Sequence, residues 1–169
     1  NEKVKHKINE DLSPTRNLTG FHLKVVAGIA IIWSLFQLWY ASPFPFMFNF
    51  GMFKGLPARA IHLGFALTLA FLIYPISKGR KISVFDIIIS FIAAFSCFYI
   101  YFFYDQLVDR GGVLLSVVIG DSYILPIELI IGSLGILILL EATRRAIGLP
   151  LVIIAISFLL FSYFGRYAP

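Results

Sequence analysis

Residues 84–104 read VFDIIISFIAAFSCFYIYFFY, a run of 21 residues in which Asp86 is the single charged side chain. A helix of about 20 apolar residues is long enough to cross the roughly 30 Å of hydrocarbon in a bilayer. Ser83 and Asp86 fit a capping box at the start of such a helix, with Ser83 as the N-cap residue. The run therefore predicts a membrane-spanning helix.

Other apolar runs of similar length predict further spans, so the expected fold class is an all-α membrane protein. The four predicted spans lie at about residues 21–40, 58–76, 84–104 and 124–142. Asp121 or Ser122 is the expected N-cap of the fourth span, with Pro126 tolerated in its first turn.

The spans divide the chain into three parts. Residues 1–20 are charged and predict a cytoplasmic tail, because they hold too little apolar surface to join a core. Residues 21–146 predict a bundle of four transmembrane helices that forms one scaffold domain. Residues 147–169 predict a fifth, connecting span. Its apolar run is short, so a re-entrant or interfacial segment is an alternative.

Composition points to the same class of protein. Hydrophobic residues make up 59% of the chain, charged residues 14%, and the mean hydropathy is +0.89, which is far from a soluble domain. The net charge of +5 comes from short clusters rather than one basic face, so no nucleic-acid partner is expected. The single cysteine, Cys97, excludes an intrachain disulfide and a cysteine metal cluster.

Basic residues predict the orientation, because Lys and Arg in short loops prefer the cytoplasmic side. Ten of the fourteen precede or open the first span, or lie between spans two and three or between spans four and five. The N-terminus is therefore expected inside and the C-terminus outside. Six charged residues on the inner side are candidates for a cytoplasmic interface or lipid anchor: Lys78, Arg80, Lys81, Glu141, Arg144 and Arg145. Glu141 and Arg145 have the spacing of a helical ion pair.

Glu128 is an ionisable residue inside a predicted span, and such residues are functional candidates because a buried charge is costly. The favoured interpretation is a carboxylate that reaches interfacial water or pairs with Arg59 or Arg110. A proton relay is the alternative. His62, near Arg59, is interpreted as a hydrogen-bonded interfacial residue rather than a metal ligand.

The sequence offers no catalytic, substrate-binding or metal-ligating residue. It lacks a nucleophile elbow, a metal-binding histidine pair, a phosphate loop and an intramembrane pair of aspartates. Polar side chains in the spans are sparse and form no continuous file. Small residues at four-residue spacing, such as Ala60 and Gly64, favour close helix packing. The chain is therefore not expected to be an enzyme.

Several motifs resemble, in order along nearly the whole chain, the N-terminal part of fused TRAP transporter permeases of the TAXI type. They are RNLTG at 16–20, WSLFQLWY at 33–40, RAIHLGFAL at 59–67, FLIYP at 71–75, LEATRRAIG at 140–148 and FGRYAP at 164–169.

This resemblance implies a multi-pass protein of a bacterial cytoplasmic (inner) membrane. In that family a small membrane part braces a large permease part, which carries the substrate and ion sites and moves as an elevator. A soluble extracytoplasmic substrate-binding protein delivers the solute, and a sodium or proton gradient drives uptake. The implied partners are the permease, the binding protein and lipids. The coupling Na⁺ or H⁺ belongs to the permease, and no cofactor is expected in this chain.

The resulting hypothesis is a scaffold module of such a transporter. Arg59 and Arg110 are candidates for docking the binding protein, since both are expected on the outer side. The alternative is an accessory or assembly subunit of another membrane complex. A self-contained channel or carrier is a third interpretation, and it would need oligomerisation to build a pore.

Overall fold

The structure, a computed structural model, describes residues 15–16, 18–76, 82–110, 117–119 and 123–165. These residues form seven helices and one short hairpin. In chain order they are α1 (Gly20–Ala41), α2 (Phe44–Phe48), α3 (Gly55–Ile73), α4 (Val84–Phe102), α5 (Tyr104–Asp109), β1 (Val117–Ile119), β2 (Tyr123–Leu125), α6 (Ile127–Ala146) and α7 (Leu149–Phe164).

Three helices within these ranges are long and apolar enough to cross a membrane, namely α1, α3 and α4. The fourth long helix, α6, has 20 residues but carries charged side chains near both of its ends. The last helix, α7, has 16 residues and rises about 24 Å, which is shorter than the hydrocarbon layer. The first three predicted spans are thus confirmed as helices that are long and apolar enough to cross a membrane.

The ends of α4 show why this helix forms where the sequence predicts it. The Ser83 hydroxyl accepts a hydrogen bond from the backbone N–H of Phe85 at 3.3 Å, so Ser83 is the predicted N-cap. The other half of the predicted capping box is wrong, because both Asp86 carboxylate oxygens accept hydrogen bonds from arginines instead. The helix ends at Phe102, two residues before the predicted boundary.

The start of α6 also differs from the prediction. Residues 124 and 125 belong to β2, which pairs antiparallel with β1. The helix therefore begins at Ile127 with Pro126 as its N-cap residue. The predicted N-caps Asp121 and Ser122 lie outside the described residues.

Among the long helices, α3 lies at the centre. Half of the apolar window of α3 is buried, and this helix contacts α1, α4 and α6. Its close approach to α4 depends on Gly64, where an added Cβ would lie 3.3 Å from the Cβ of Cys97. The apolar core consists of Leu67, Phe71, Ala93, Cys97, Ile138 and Ala142.

The outer helices are much less enclosed. Val26 is the one buried residue of α1, and Val152 is the one buried residue of α7. The remaining surface of both helices is rich in exposed Leu, Ile and Phe side chains, which suits a lipid environment. Gly148 joins α6 to α7 with φ at +109°, a backbone conformation that favours glycine.

Candidate functional site: ion-pair clusters at the two helix ends

One end of the helix bundle is held together by Asp86, in the first turn of α4. Its Oδ2 accepts a hydrogen bond from Nη2 of Arg16 at 2.7 Å, and its Oδ1 accepts one from Nη1 of Arg145 at 2.7 Å. All three side chains are only 2% exposed. A single carboxylate thus joins the segment before α1, the start of α4 and the end of α6. We call this group the Asp86 cluster.

Arg16 reaches Asp86 because the chain before α1 is fixed to the end of α3. The Arg16 backbone N–H donates to the carbonyl of Ile73 at 2.9 Å, and Nη1 donates to the carbonyl of Leu72 at 3.2 Å. These contacts satisfy carbonyls that the end of a helix leaves without intrahelical partners. Residues 1–20 were predicted as a tail that does not join the core, and this is wrong for Arg16, which is buried against the helices.

Arg145 has several partners at once. Its Nε donates to Oε1 of Glu141 at 2.8 Å, its Nη1 also donates to the carbonyl of Tyr74 at 3.4 Å, and its guanidinium lies 4.9 Å from the centroid of the Phe71 ring. The predicted helical pair of Glu141 and Arg145 is confirmed. Arg145 therefore faces the protein interior, although the sequence placed it with the lipid-facing charges.

Glu141 extends the Asp86 cluster toward the surface. Nε and Nη2 of Arg144 donate to the two Glu141 oxygens at 2.7 and 2.8 Å. The Arg144 side chain is 42% exposed, so it can face headgroups while it pairs with Glu141. Lys78, Arg80 and Lys81 lie outside the described residues.

The opposite end has its own buried carboxylate, Glu128, in the first turn of α6. Its Oε1 accepts a hydrogen bond from Nη2 of Arg110 at 2.6 Å and one from the Tyr99 hydroxyl at 3.2 Å. The Glu128 side chain is 3% exposed, whereas that of Arg110 is 26% exposed. The interpretation that Glu128 pairs with Arg110 agrees with this geometry. The group joins α4, the end of α5 and α6, and we call it the Glu128 cluster.

Three further charged residues at the Glu128 end are Lys54, Asp105 and Arg59. Lys54 forms an exposed ion pair with Asp105, and this hydrogen bond raises the pKa of Lys54 above its ordinary value. Arg59 is exposed in the first turns of α3, and no described residue forms an ion pair or hydrogen bond with it. Of the two predicted docking arginines, Arg59 is thus available at the surface, while Arg110 is held by Glu128.

Between the two ends the interior is mostly apolar, with Ser90 and Ser96 as buried polar residues. A cavity of about 280 Å³ lies among α3, α4 and α6, and its walls are mostly Leu, Ile, Ala and Gly, with Glu128 at one edge. Ligand pockets usually occupy about 300–1,000 Å³ and contain several convergent polar groups. This cavity is slightly smaller and mostly apolar, so it does not resemble such a pocket.

Among the described residues no group of His, Cys, Asp and Glu could hold a metal ion.

A polar contact also joins α1 to α3 on the outside of the bundle. Trp33 Nε1 donates a hydrogen bond to Nδ1 of His62 at 3.3 Å, and Gln37 Nε2 lies 2.7 Å from the same nitrogen. A hydrogen-bonded His62 was predicted, but its partners were not, because Gln37 and Trp33 lie 25 and 29 positions away in the chain.

The fold and these clusters define a helical membrane protein whose charged groups fix the helix ends. Comparison of the chain with protein families, curated proteins and solved structures finds no match.

Proposed function

We propose that this chain is the stationary scaffold module of a TRAP-type secondary transporter of the TAXI kind in a bacterial inner membrane. In this proposal α6 is the fourth span, α7 is the connector, and the Asp86 cluster lies on the cytoplasmic side. The chain braces a large permease, which carries the solute and the coupling Na⁺ or H⁺. A soluble binding protein delivers the solute from outside.

The proposal rests on one observation: buried ion pairs connect the helices at both ends of the bundle. Asp86 links three parts of the chain at one end, and Glu128 links three at the other. Removing one partner of a buried ion pair is strongly destabilising, because it leaves an uncompensated charge. Relative sliding of α4 and α6 would break both clusters, so these helices suit a rigid brace better than a moving gate.

The nature of the interior supports the same function. Transport sites are usually built from broken helices whose freed backbone and polar groups meet near the midplane. In the described ranges α1, α3, α4 and α6 are continuous helices, and the core between them is apolar. A solute pathway is therefore better sought in the partner permease.

The first experiment is to purify the natural assembly from its native membrane through a tag on this chain. We expect the purified assembly to contain a large polytopic permease, either as a separate subunit or as a further domain of the same polypeptide. Reconstituted in proteoliposomes with the soluble binding protein, the assembly should take up organic acids or amino acids when a sodium or proton gradient is imposed. A stable complex with an unrelated enzyme, and no permease, would instead favour an accessory or assembly subunit.

The second experiment tests whether the helices stay still. Cysteine at position 64 would lie beside native Cys97, since the Cβ atoms would be 3.3 Å apart. Disulfides have Cβ separations of about 3.5–4.5 Å, so a shift of a few tenths of an ångström would bring the pair into range. Oxidising the Gly64→Cys variant should lock α3 to α4. A scaffold should keep its uptake rate in the oxidised state.

Two controls separate locking from packing effects. Gly64→Ser has nearly the same volume but cannot form the bond, and Gly64→Cys with Cys97→Ala has no partner thiol. A loss of uptake that appears on oxidation of Gly64→Cys, recovers with a reductant and is absent from both controls would reject the stationary role.

The docking hypothesis for the binding protein is tested separately. Arg59→Ala should weaken binding-protein affinity, because Arg59 is exposed at the Glu128 end. Arg110→Ala should act mainly through the loss of its pair with Glu128. Unchanged affinity and uptake in the double variant would remove the docking role from both residues.

A further inference from the structure

The segment between α1 and α3 is unusually apolar for a connection between two helices. Residues 42–53 read SPFPFMFNFGMF and contain no charged side chain. Six large apolar side chains of this segment are between 48% and 74% exposed: Phe44, Phe46, Met47, Phe48, Phe50 and Met52. A contiguous exposed apolar surface usually marks an interaction site. We call residues 42–53 the aromatic connector.

The aromatic connector does not project away from the bundle, because it packs on Trp39 in the last turn of α1. The Trp39 ring stacks on the Phe48 ring with centroids 6.3 Å apart, and it contacts the Phe50 ring edge-to-face at 6.4 Å. An added Cβ at Gly51 would lie 2.9 Å from Nε1 of Trp39, so the chain passes this close only as glycine. The connector is therefore folded back against the end of α1.

The ends of the two flanking helices give the depth of the aromatic connector. Both α1 and α3 are candidate membrane spans. Trp39 lies two residues before the end of α1, which is about 3 Å at 1.5 Å per residue. Lys54, directly after the connector, precedes the first residue of α3 and forms an exposed ion pair with Asp105. Tryptophan and lysine at the ends of spans mark the boundary between hydrocarbon and water. The connector therefore lies at this boundary.

We propose that the aromatic connector is embedded in the bilayer surface, with its Phe and Met side chains among the acyl chains just below the headgroups. Interfacial segments bury their apolar faces about 5–10 Å into this layer. The connector begins and ends at this level, and its exposed surface continues that of α1, where Val26 is the one buried residue. Lipid thus covers both, and the connector anchors the Glu128 end of the bundle in the membrane.

A soluble protein partner is a less suitable cover for this surface than lipid. Interfaces with soluble partners have an apolar centre and a polar rim, whereas the aromatic connector has no charged side chain from Ser42 to Phe53. The other connection at this end, α5, is different, because Asp105, Gln106 and Asp109 are all exposed. Of the two connections, α5 suits water and the aromatic connector suits lipid.

The first test uses the full natural protein in its native membrane, with the photo-reactive residue p-benzoylphenylalanine at position 46 or 50. Phe46 and Phe50 are the two most exposed aromatic side chains of the connector, and each replacement keeps an aromatic ring. The matched control carries the same residue in place of Gln106, which is exposed in α5 at the same end. Adducts are identified by mass spectrometry.

We expect phospholipid adducts at positions 46 and 50 and far fewer at position 106. Adducts at 46 and 50 that go to another protein or to a second copy would overturn the inference. It would equally be overturned by the absence of adducts at these two positions, or by equal lipid yields at all three.

The two methionines allow a second test without any substitution. Met47 and Met52 are the only methionines from Asn1 to Pro169, and both are exposed in the connector. The water-soluble oxidant chloramine-T should convert them to sulfoxides in intact membranes at least about tenfold more slowly than a methionine peptide added to the same sample, because a methionine side chain prefers apolar surroundings to water. Oxidation as fast as that of the free peptide would place the connector in water and reject the proposal. Neither test depends on the transporter function proposed above, because a bilayer surface surrounds every membrane complex.

Discussion

Asp86 and Arg145 are 59 positions apart in the chain, yet Oδ1 of the first lies 2.7 Å from Nη1 of the second, and each side chain is 2% exposed. Arg16 contacts the other carboxylate oxygen from a third part of the chain. The contact therefore sets how α4 and α6 align along their axes. A shift of one helical turn, about 5.4 Å, would separate the charges.

Asp86→Asn should strongly destabilise the fold, because it removes the one negative charge that contacts both Arg16 and Arg145 in the interior. We expect a loss of about 3–5 kcal/mol in the free energy of unfolding, measured by denaturant titration in detergent. Asp105→Asn is the matched control, since it makes the same chemical change in the exposed pair with Lys54 and should have little effect. Equal effects of the two variants would contradict the structural importance of Asp86.

Arg145→Lys should behave more like a deletion than a conservative change. Lysine keeps the charge but lacks the planar group that donates to Asp86 and Glu141 and stacks on the Phe71 ring. We expect a loss of about 1–3 kcal/mol by the same titration. Arg144→Lys should have a much smaller effect, because Arg144 is 42% exposed. A fully stable Arg145→Lys protein would show that the charge alone suffices.

Gly64→Leu should force α3 and α4 apart, because even a Cβ at position 64 would lie 3.3 Å from Cys97 and 3.7 Å from the Phe98 ring. Overpacking of this kind costs about 1–3 kcal/mol. The matched control is Gly28→Leu in α1, where no atom lies within 4 Å of the added Cβ. Thermal aggregation in detergent distinguishes the two variants. A lower stability for Gly28→Leu than for Gly64→Leu is the opposite of our expectation.

Arg110 and Glu128 should show a direct energetic coupling. Arg110→Ala, Glu128→Gln and the double variant form a double-mutant cycle, and we expect a coupling of about 0.5–3 kcal/mol in unfolding free energy. In the natural assembly Glu128→Gln should leave the pH dependence of uptake unchanged if the carboxylate is structural. A pH profile that changes only in Glu128→Gln would favour the proton-relay interpretation instead.

The pair of Lys54 and Asp105 predicts an effect on amine reactivity rather than on stability. Asp105 raises the pKa of Lys54, so Lys54 keeps its proton to higher pH than an ordinary lysine. The ion pair is lost only when the pH rises above this raised pKa. At about pH 10, near the usual lysine pKa, acetic anhydride should label Lys54 more slowly than in the Asp105→Asn variant. Equal labelling rates, read by mass spectrometry of the peptide, would show that Asp105 does not hold the ammonium.

Hydropathy predicted the long helices well because the signal that places a helix in a membrane is local. The apolar run at 84–104 and the N-cap Ser83 are both visible within a few residues, and α4 begins where they indicate. The pair of Glu141 and Arg145 could also be predicted from the sequence, because helical spacing alone brings the two side chains together.

The connections between helices could not be predicted in the same way. Arg16 and Asp86 are 70 positions apart, and nothing local to either residue identifies the other. Asp86 lies in the first turn of an apolar run, and a charged residue there indicates a buried partner. The same residue also fits a capping box, so the sequence alone did not decide between the two. The second strand of the hairpin was missed because Ile124 and Leu125 of β2 read as the beginning of the fourth span.

The joint between α6 and α7 has a practical consequence. Gly148 adopts φ of +109°, and α7 contributes only Val152 to the buried residues of the chain. A protein shortened to end at residue 147 would lose almost none of its interior and retain Asp86, Arg145 and Glu141. Crystallographers and protein engineers could therefore attach a fusion partner at this point and keep the upstream architecture.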